Sequence, residues 1–403
     1  MVTSFFIKNR INLAAQTSGG IIVMPAYTQM QRGNDAAFMF EQEANFWWLT
    51  GIESPDWWLI IDGQRDKSWL VSPEVSQTQA IFDGSLSMEA AGRISGVEHI
   101  ISQDEAMRML RDLAKKHSVV YSLGESPYSD YYDFVVNPTI KKNWRMLQTI
   151  FNDVQDLRPN LDKLRAIKQP EEIKAIKKAI KLTVDAFKLV KQKLPDYRYE
   201  YEIEAEFSYL FRRSGAAGHA YDPIVAGGVN ACTLHYGANT AKLKNSSILL
   251  MDIGARVDGY AADISRSYAV GISTSRQAQV HRAVENAHKE IIKLLRPNLS
   301  FTDYHYRVDE IMKNALIGLG LIESEADESG YRKYFPHAIG HGLGVDVHDS
   351  LGHFPELLPG MVLTVEPGIY IPEEGIGVRV EDNILITENG HTNLSAALPT
   401  AMV

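Results

Sequence analysis

The chain has 403 residues, 45% of them hydrophobic and 23% charged, with 41 basic against 50 acidic side chains and a formal charge of -9. That length exceeds one ordinary domain and suits two, each able to bury its own core, and the composition is that of a folded globular protein. The acidic balance argues against nucleic acid or an anionic membrane as partner, and the single Cys232 rules out an internal disulfide and a thiolate metal cluster.

The opening stretch MVTSFFIKNRINLAAQTSGG lacks the continuous apolar segment and cleavage site of a secretory signal. No run approaches the roughly 18 apolar residues of a membrane helix, so a cytoplasmic protein outside the membrane is expected. Residues 20–24, 57–61, 68–71 and 118–123 read as strands, and 103–117 as a helix with Ala106, Met107, Leu110 and Leu113 on one face. This first half is an α/β domain without a chemical motif of its own. It holds all six tryptophans, Trp47, Trp48, Trp57, Trp58, Trp69 and Trp144. Most suit a core, but the adjacent pairs Trp47-Trp48 and Trp57-Trp58 point to opposite faces if they lie in strands, which would put one of each at a domain or subunit contact.

A polar run and the Arg158-Pro159 step set a boundary, giving expected domains 1–158 and 159–403. A long amphipathic helix follows, with Pro170 in its first turn, Glu171 and Glu172 behind it, and Ile173, Ile176, Ile180, Val184, Phe187 and Leu194 on one stripe. Its lysine-rich face reads as solvated surface. Helices are expected at 201–213, 275–296 and 302–319, the last capped by Ser300. Around them the second half reads as two helices, a β hairpin, two helices and another β segment.

Acidic residues inside the two β segments carry the chemistry. Asp252 ends LLMD and Asp263 lies in YAADISRSYAV, with the turn Arg256-Val257-Asp258-Gly259 between their strands. A hairpin folded about the midpoint between Val257 and Asp258 sets the two aspartates directly opposite, with Cβ atoms roughly 4.5 to 5.5 Å apart. Glu366 in LTVEPGIY and Glu381 in VRVEDNILIT repeat the arrangement, with Arg379 on the same strand face as Glu381. Any one of these acids alone would be read as a solvated strand residue. Apolar neighbours on both pleat faces make the set costly to bury unless cations are shared between them, and two ions about 3.5 to 4 Å apart are the usual solution.

The motif from His337 through His341 to His348 and Asp349, HAIGHGLGVDVHD, together with LHYGAN, MDIGARVDGYAADISRSY, VEPGIY and GVRVEDNILIT, resembles the proline-specific metallopeptidases of the pita-bread fold, and within them aminopeptidase P. The segment FMFEQEANFWWLTGIESPDWWLII is similar to the first domain of that family. The resemblance implies an α/β N-terminal domain plus an α+β pita-bread C-terminal catalytic domain with pseudo-twofold symmetry. It implies hydrolysis of the N-terminal Xaa-Pro bond, releasing the first residue, by a hydroxide bridging two divalent ions, Mn²⁺ in the first place. The ligands it implies are Asp252, Asp263, His341, Glu366 and Glu381, with Asp263 and Glu381 bridging and Glu366 also moving the proton. His235, His337 and His348 match positions that meet the substrate, and Arg379 either orients a metal carboxylate or meets the substrate's carboxyl end. A homodimer or homotetramer is implied as well.

Prolidases, which cleave only Xaa-Pro dipeptides, share the metal ligands, and the FWWLTGIESP block tilts the reading toward aminopeptidase P. A binding module that has lost its metals stays open too, though all five ligand types are present. Cys232, three residues before His235, and His219, His281, His288 and His353 are read as structural.

Overall fold

The apolar runs of the first 164 residues form one six-stranded sheet in the computed structural model, which describes residues 1–126 and 133–402. The chain divides into two units, Met1–Leu164 and Arg165–Val403. In the first, β1 (Ile21–Pro25), β2 (Trp58–Asp62), β3 (Lys67–Val71), β4 (His99–Ile101), β5 (Val119–Ser122) and β6 (Asp153–Asp156) lie in the order β4-β3-β2-β1-β5-β6. The β1–β2 and β2–β3 pairs are antiparallel and the others parallel. One face packs Ile21, Val23, Ile60, Val71 and Val120 against Ala106, Leu110 and Leu113 of the helix Gln103–Ala114. Ser102 caps that helix through a reciprocal box with Glu105.

Two expectations change here. Trp47 and Trp48 lie in a helix, Ala44–Thr50, rather than a strand, and both are buried. Glu43 caps this helix by accepting the Phe46 N–H at 2.7 Å, and Trp48 and Trp47 pack edge-on against Phe5 and Phe6 of the helix Thr3–Gln16. A cap of this kind overrides the β preference of paired aromatics. The polar run taken for a boundary is the edge strand β6, where one free side tolerates Asp153, Gln155 and Asp156.

In the second unit the long helix runs Pro170–Gln192, burying Ile176, Ile180, Val184 and Phe187 while Lys174, Lys177, Lys178 and Lys181 face water. The helices Glu200–Arg213, Ser275–Leu294 and Phe301–Gly318 follow, and Ser300 caps the last by accepting the Asp303 N–H at 3.0 Å. Strands β7 (Gly218–His219) and β8 (Ile224–Gly227) precede a long hairpin that is broken in its middle. Its inner part pairs β9 (Ser247–Asp252) with β12 (Ser265–Val270), and its tip pairs β10 (Ala255–Val257) with β11 (Tyr260–Ala261). A second broken hairpin pairs β13 (Val362–Val365) with β16 (Asp382–Thr387) and β14 (Gly368–Ile371) with β15 (Ile376–Arg379), and β17 (Gly390–Asn393) adds to β16. Each hairpin keeps one register through its break, so the two are counterparts, as the helix pairs before them are.

The register of the first hairpin differs from expectation. Asp252 pairs with Ser265, not Asp263, because the two-residue loop is Asp258-Gly259, both at positive φ (52° and 84°). A type I′ turn needs both central residues there, which moves the fold point one residue along and Asp263 to the diagonal. In the second hairpin the running register sets Glu366 opposite Glu381. No helix among the described residues is long and apolar enough to cross a membrane. Gly259→Ala forces a Cβ into the left-handed region and is expected to cost about 1–2 kcal/mol, read as a lowered Tm of the second unit; an unchanged Tm would refute the turn assignment.

Candidate metal centre and active site

Both hairpin breaks deliver acids. Asp252 ends β9, Asp263 sits in the gap between β11 and β12, Glu366 follows β13 and Glu381 precedes β16. Cross-bonds between the hairpins bring the gaps together. The Glu381 N–H donates to the Ser265 carbonyl at 3.0 Å, the Ser265 hydroxyl donates to Glu381 Oε2 at 2.8 Å, and the Asp263 N–H donates to Asn383 Oδ1 at 3.2 Å. Arg266, wholly buried, spends its guanidinium on the carbonyls of Ser265, Glu381, Leu398 and Pro399 and on Asp382 Oδ1.

His341 enters from the loop before β13. Its backbone is fixed on Thr364, which accepts the His341 N–H at 3.0 Å through its hydroxyl and donates that hydroxyl to Glu366 Oε1 at 3.3 Å. Gly340 lets this loop press against β13, since a Cβ there would lie 2.1 Å from the Thr364 carbonyl oxygen. Nδ1 of His341 is 2.9 Å from the Gly342 carbonyl, which assigns its proton there and leaves Nε2 facing Asp263 Oδ2 and Glu366 Oε1, each at 3.5 Å.

Ligand atoms of Asp263, His341 and Glu381 lie within 4.8 Å of one another. Asp252 joins them through Tyr221, whose hydroxyl is 2.5 Å from Asp252 Oδ1 and 2.6 Å from Asp263 Oδ1. Burial keeps this phenol protonated, and its one proton serves two carboxylates. Four acids and one imidazole nitrogen turned inward form an oxygen-dominated donor set suited to hard divalent ions. The residues therefore fit the metal that the sequence implies.

The other expected residues flank this centre. His337 Nε2 is 2.8 Å from the Tyr370 hydroxyl, its Nδ1 is 2.7 Å from the Ala338 carbonyl, and burial pushes it down to about 4, so it is neutral with Nδ1 protonated. The His348 ring lies 4.1 Å from that of His341. His235 stands exposed after the 3₁₀ turn Gly228–Cys232, in the neighbourhood of His337 and His348. Arg379 is buried, with Nη2 on Asp252 Oδ2 at 2.5 Å, Nε on the Ser265 hydroxyl at 2.9 Å and Nη1 on the Tyr370 hydroxyl at 2.9 Å. His288 lies on the helix Ser275–Leu294, 3.5 Å from Asp382. Sequence reasoning passed over Tyr221, Thr364 and Tyr370; Thr364 and Tyr370 lay in the quoted motif LTVEPGIY, where their places two residues before and four after Glu366 were the available signal.

Burial and neighbouring acids raise Asp263 and Glu381, and burial pushes Glu366 up to about 7 against the opposing charges of His341 and Arg379. Burial works to lower His341, but its bond to Asp263 and the charge of Glu366 outweigh it and carry it up to about 9. All four groups bind protons more tightly folded than unfolded. Each therefore contributes stability below its unfolded pKa that is lost as pH rises through its folded one. Below about pH 6.5 the histidines His288, His337 and His348, each pushed down to about 4 by desolvation, act in the opposite sense, so the metal-stripped protein is expected to lose Tm between about pH 7 and 9, where divalent ions, which need the deprotonated ligands, raise Tm most. Calorimetry of stripped and Mn²⁺-loaded protein across that range checks this; a stripped Tm that climbs with pH would contradict it.

Residues 174–388 match metallopeptidase family M24, and residues 6–121 match the aminopeptidase P N-terminal domain. The Xaa-Pro aminopeptidase of Escherichia coli K12 is 33% identical over 417 aligned residues, covering 98% of this chain and 94% of that protein. Mouse Xaa-Pro aminopeptidase 3 is 32% identical, covering 92% and 76%. Among solved structures, the low-pH form of E. coli aminopeptidase P matches with a TM-score of 0.86 at 31% identity, covering 100% of this chain and 96% of that one. Proline aminopeptidase P II from Yersinia pestis matches at 0.85 and 31% identity, covering 100% and 98%. With twin broken hairpins bringing four acids and His341 together, and with likeness running through both units, the chain belongs to metallopeptidase family M24, as an aminopeptidase P built of that family's N-terminal domain and a pita-bread catalytic domain.

Proposed function

We propose that this metallo-aminopeptidase releases the first residue from peptides with proline in second position, with two divalent ions held by Asp252, Asp263, His341, Glu366 and Glu381. The observation that carries the reading is the gathering of Asp263, His341 and Glu381 within 4.8 Å, with Glu366 Oε1 3.5 Å from the same imidazole nitrogen. Asp252, Asp263, His341, Glu366 and Glu381 would together hold the ions, with Asp263, His341 and Glu381 nearest one another. When bound, the ions supply Lewis acidity, acidifying a water near neutral pH and polarising the scissile carbonyl. Mn²⁺ suits so oxygen-rich a donor set.

The chain's own residues do the rest. Glu366, placed beside the ligand atoms of His341, would take the proton of the attacking water and pass it to the leaving nitrogen. His235, His337 and His348 line the approach, where imidazoles hydrogen-bond the substrate carbonyl or pack on the proline ring. Arg379, with three nitrogens engaged inside the protein, orients Asp252 and reaches the substrate only through it. The enzyme acts in the cytoplasm as a homodimer or homotetramer. Exposed Met39, Ile81 and Phe82 in the first unit support association, as does the helix Gln77–Phe82, which buries none of its residues.

Protein stripped of metal and reloaded with Mn²⁺ is expected to cleave an Xaa-Pro-Yaa tripeptide faster than the matching Xaa-Pro dipeptide. Dipeptide-only cleavage would make it a prolidase, and silence on both with metal bound would sink the peptidase reading. Glu366→Gln is expected to lower kcat by about 10²–10⁴-fold, the usual worth of a general acid–base group; a loss under tenfold would remove Glu366 from proton transfer. Light scattering that returned only the 45.1 kDa monomer would remove the oligomer.

A further inference from the structure

At the start of the helix Glu200–Arg213 lies a carboxylate with no solvent exposure, Glu200. Its Oε1 accepts the Gly227 N–H at 2.8 Å and Asn230 Nδ2 at 3.1 Å, and its Oε2 accepts the Tyr236 hydroxyl at 2.9 Å and the Ala241 N–H at 2.8 Å. All four donors belong to one segment, 227–241, and they fall on both sides of His235. Gly227 is also paired with Leu249, and Ala231, Cys232, Leu234 and Tyr236 pack on a small core with Leu250 and Tyr370, but the stretch around His235 has no regular hydrogen bonding of its own. Beyond the 3₁₀ turn Gly228–Cys232, residues 233–241 form neither helix nor strand, and Thr233, His235, Gly237, Ala238 and Thr240 are exposed. One turn further along the same helix, Glu204 accepts the Asn239 side-chain amide at 2.9 Å, while Asn239 Oδ1 takes the Val225 N–H at 2.9 Å.

A carboxylate buried this deeply is tolerated only when its lone pairs are filled, and here one loop fills all of them. The reverse also holds. Four donors converging on one rigid helix end fix a loop that would otherwise sample many conformations. The loop's one imidazole, His235, lies in the neighbourhood of His337 and His348, the second of which is 4.1 Å ring to ring from His341.

We propose that Glu200 is a positioning residue for the peptidase reaction: by gathering Gly227, Asn230, Tyr236 and Ala241 it pre-organises the loop that presents His235 to the substrate. It touches neither substrate nor metal and acts through His235, so the inference rests on the substrate role given to His235 above. Holding a polar contact in place before substrate arrives spares the reaction the entropy of ordering it.

The test is a double-mutant cycle on Mn²⁺-loaded protein, comparing wild type, Glu200→Gln, His235→Ala and the pair by kcat/KM on an Xaa-Pro-Yaa tripeptide, with hydrogen exchange of the loop alongside. Glutamine keeps the shape but turns an amide NH₂ toward two of the donors. Glu200→Gln is expected to lose about tenfold in kcat/KM, below the roughly hundredfold a 1 Å misplacement can cost. Amides of 227–241 are expected to exchange faster while those of β9 and β12 do not change. In the His235→Ala background the same substitution is expected to cost nothing further. Losses that simply add would overturn the proposal, as would unchanged exchange in the loop. A His235→Ala protein as active as wild type would overturn the substrate role of His235 and the proposal with it, whereas additive losses leave that role standing. If Glu200→Gln does not fold, Tyr236→Phe, which deletes one donor, takes its place in the cycle under the same criteria.

Discussion

Four carboxylates crowded at one seam, three of them buried and Glu366 half-buried, repel each other, and the catalytic unit is arranged so that they stay there. Asp252 is the last paired residue before the break of its hairpin, and Asp263, Glu366 and Glu381 occupy the breaks, where the ladder stops and a side chain can turn inward without losing a strand partner. The two hairpins are sewn together by polar bonds at the same level. Ser265 links Arg379 to Glu381, Asn383 meets the backbone of Asp263, and Arg266 gathers carbonyls from both hairpins. Removing one member of so closed a network leaves buried groups unpaired, which costs more than the bonds themselves are worth.

Around the acids, neighbours set charge and direction. Arg379 and Tyr370 form a chain from Asp252 to His337, in which Arg379 donates to Asp252 and to the Tyr370 hydroxyl, and that hydroxyl donates to the neutral His337. Thr364 ties His341 to Glu366 with a single hydroxyl. The loop from His341 to His348 closes on Asp349, whose buried carboxylate meets Arg165 at 2.9 Å and Lys168 at 3.3 Å and accepts the Ser350 N–H. Such pairs contribute little net stability, yet removing one partner would strand a charge, so they hold the loop in a single arrangement.

Histidines beside the centre divide by environment. His337, buried beside Arg379, is neutral, while His341, against Asp263 and Glu366, holds its proton until an ion replaces it. The same imidazole chemistry thus takes two charge states, set by the charge each ring faces.

Much of this was legible in the amino-acid order. The acids inside apolar runs, the Asp-Gly turn, the single cysteine and the alternation of helix pairs with β segments determined a two-part protein with a carboxylate centre, because burial of an unpartnered acid is too costly to be incidental. Local pattern also placed the long helix from Pro170 and the cap at Ser300, since propensity and capping act within one turn. Other features needed the folded chain. The pairing of Asp252 with Ser265 turned on which two residues occupied positive φ at Asp258 and Gly259, and Trp47 and Trp48 became helical because Glu43 capped them and Phe5 and Phe6 covered them. Tyr221 and Glu200 carry no signal of their own, for each gains its role from partners far along the chain. A hydroxyl or carboxylate becomes functional only when tertiary packing fixes what it faces and excludes the water it would otherwise bind.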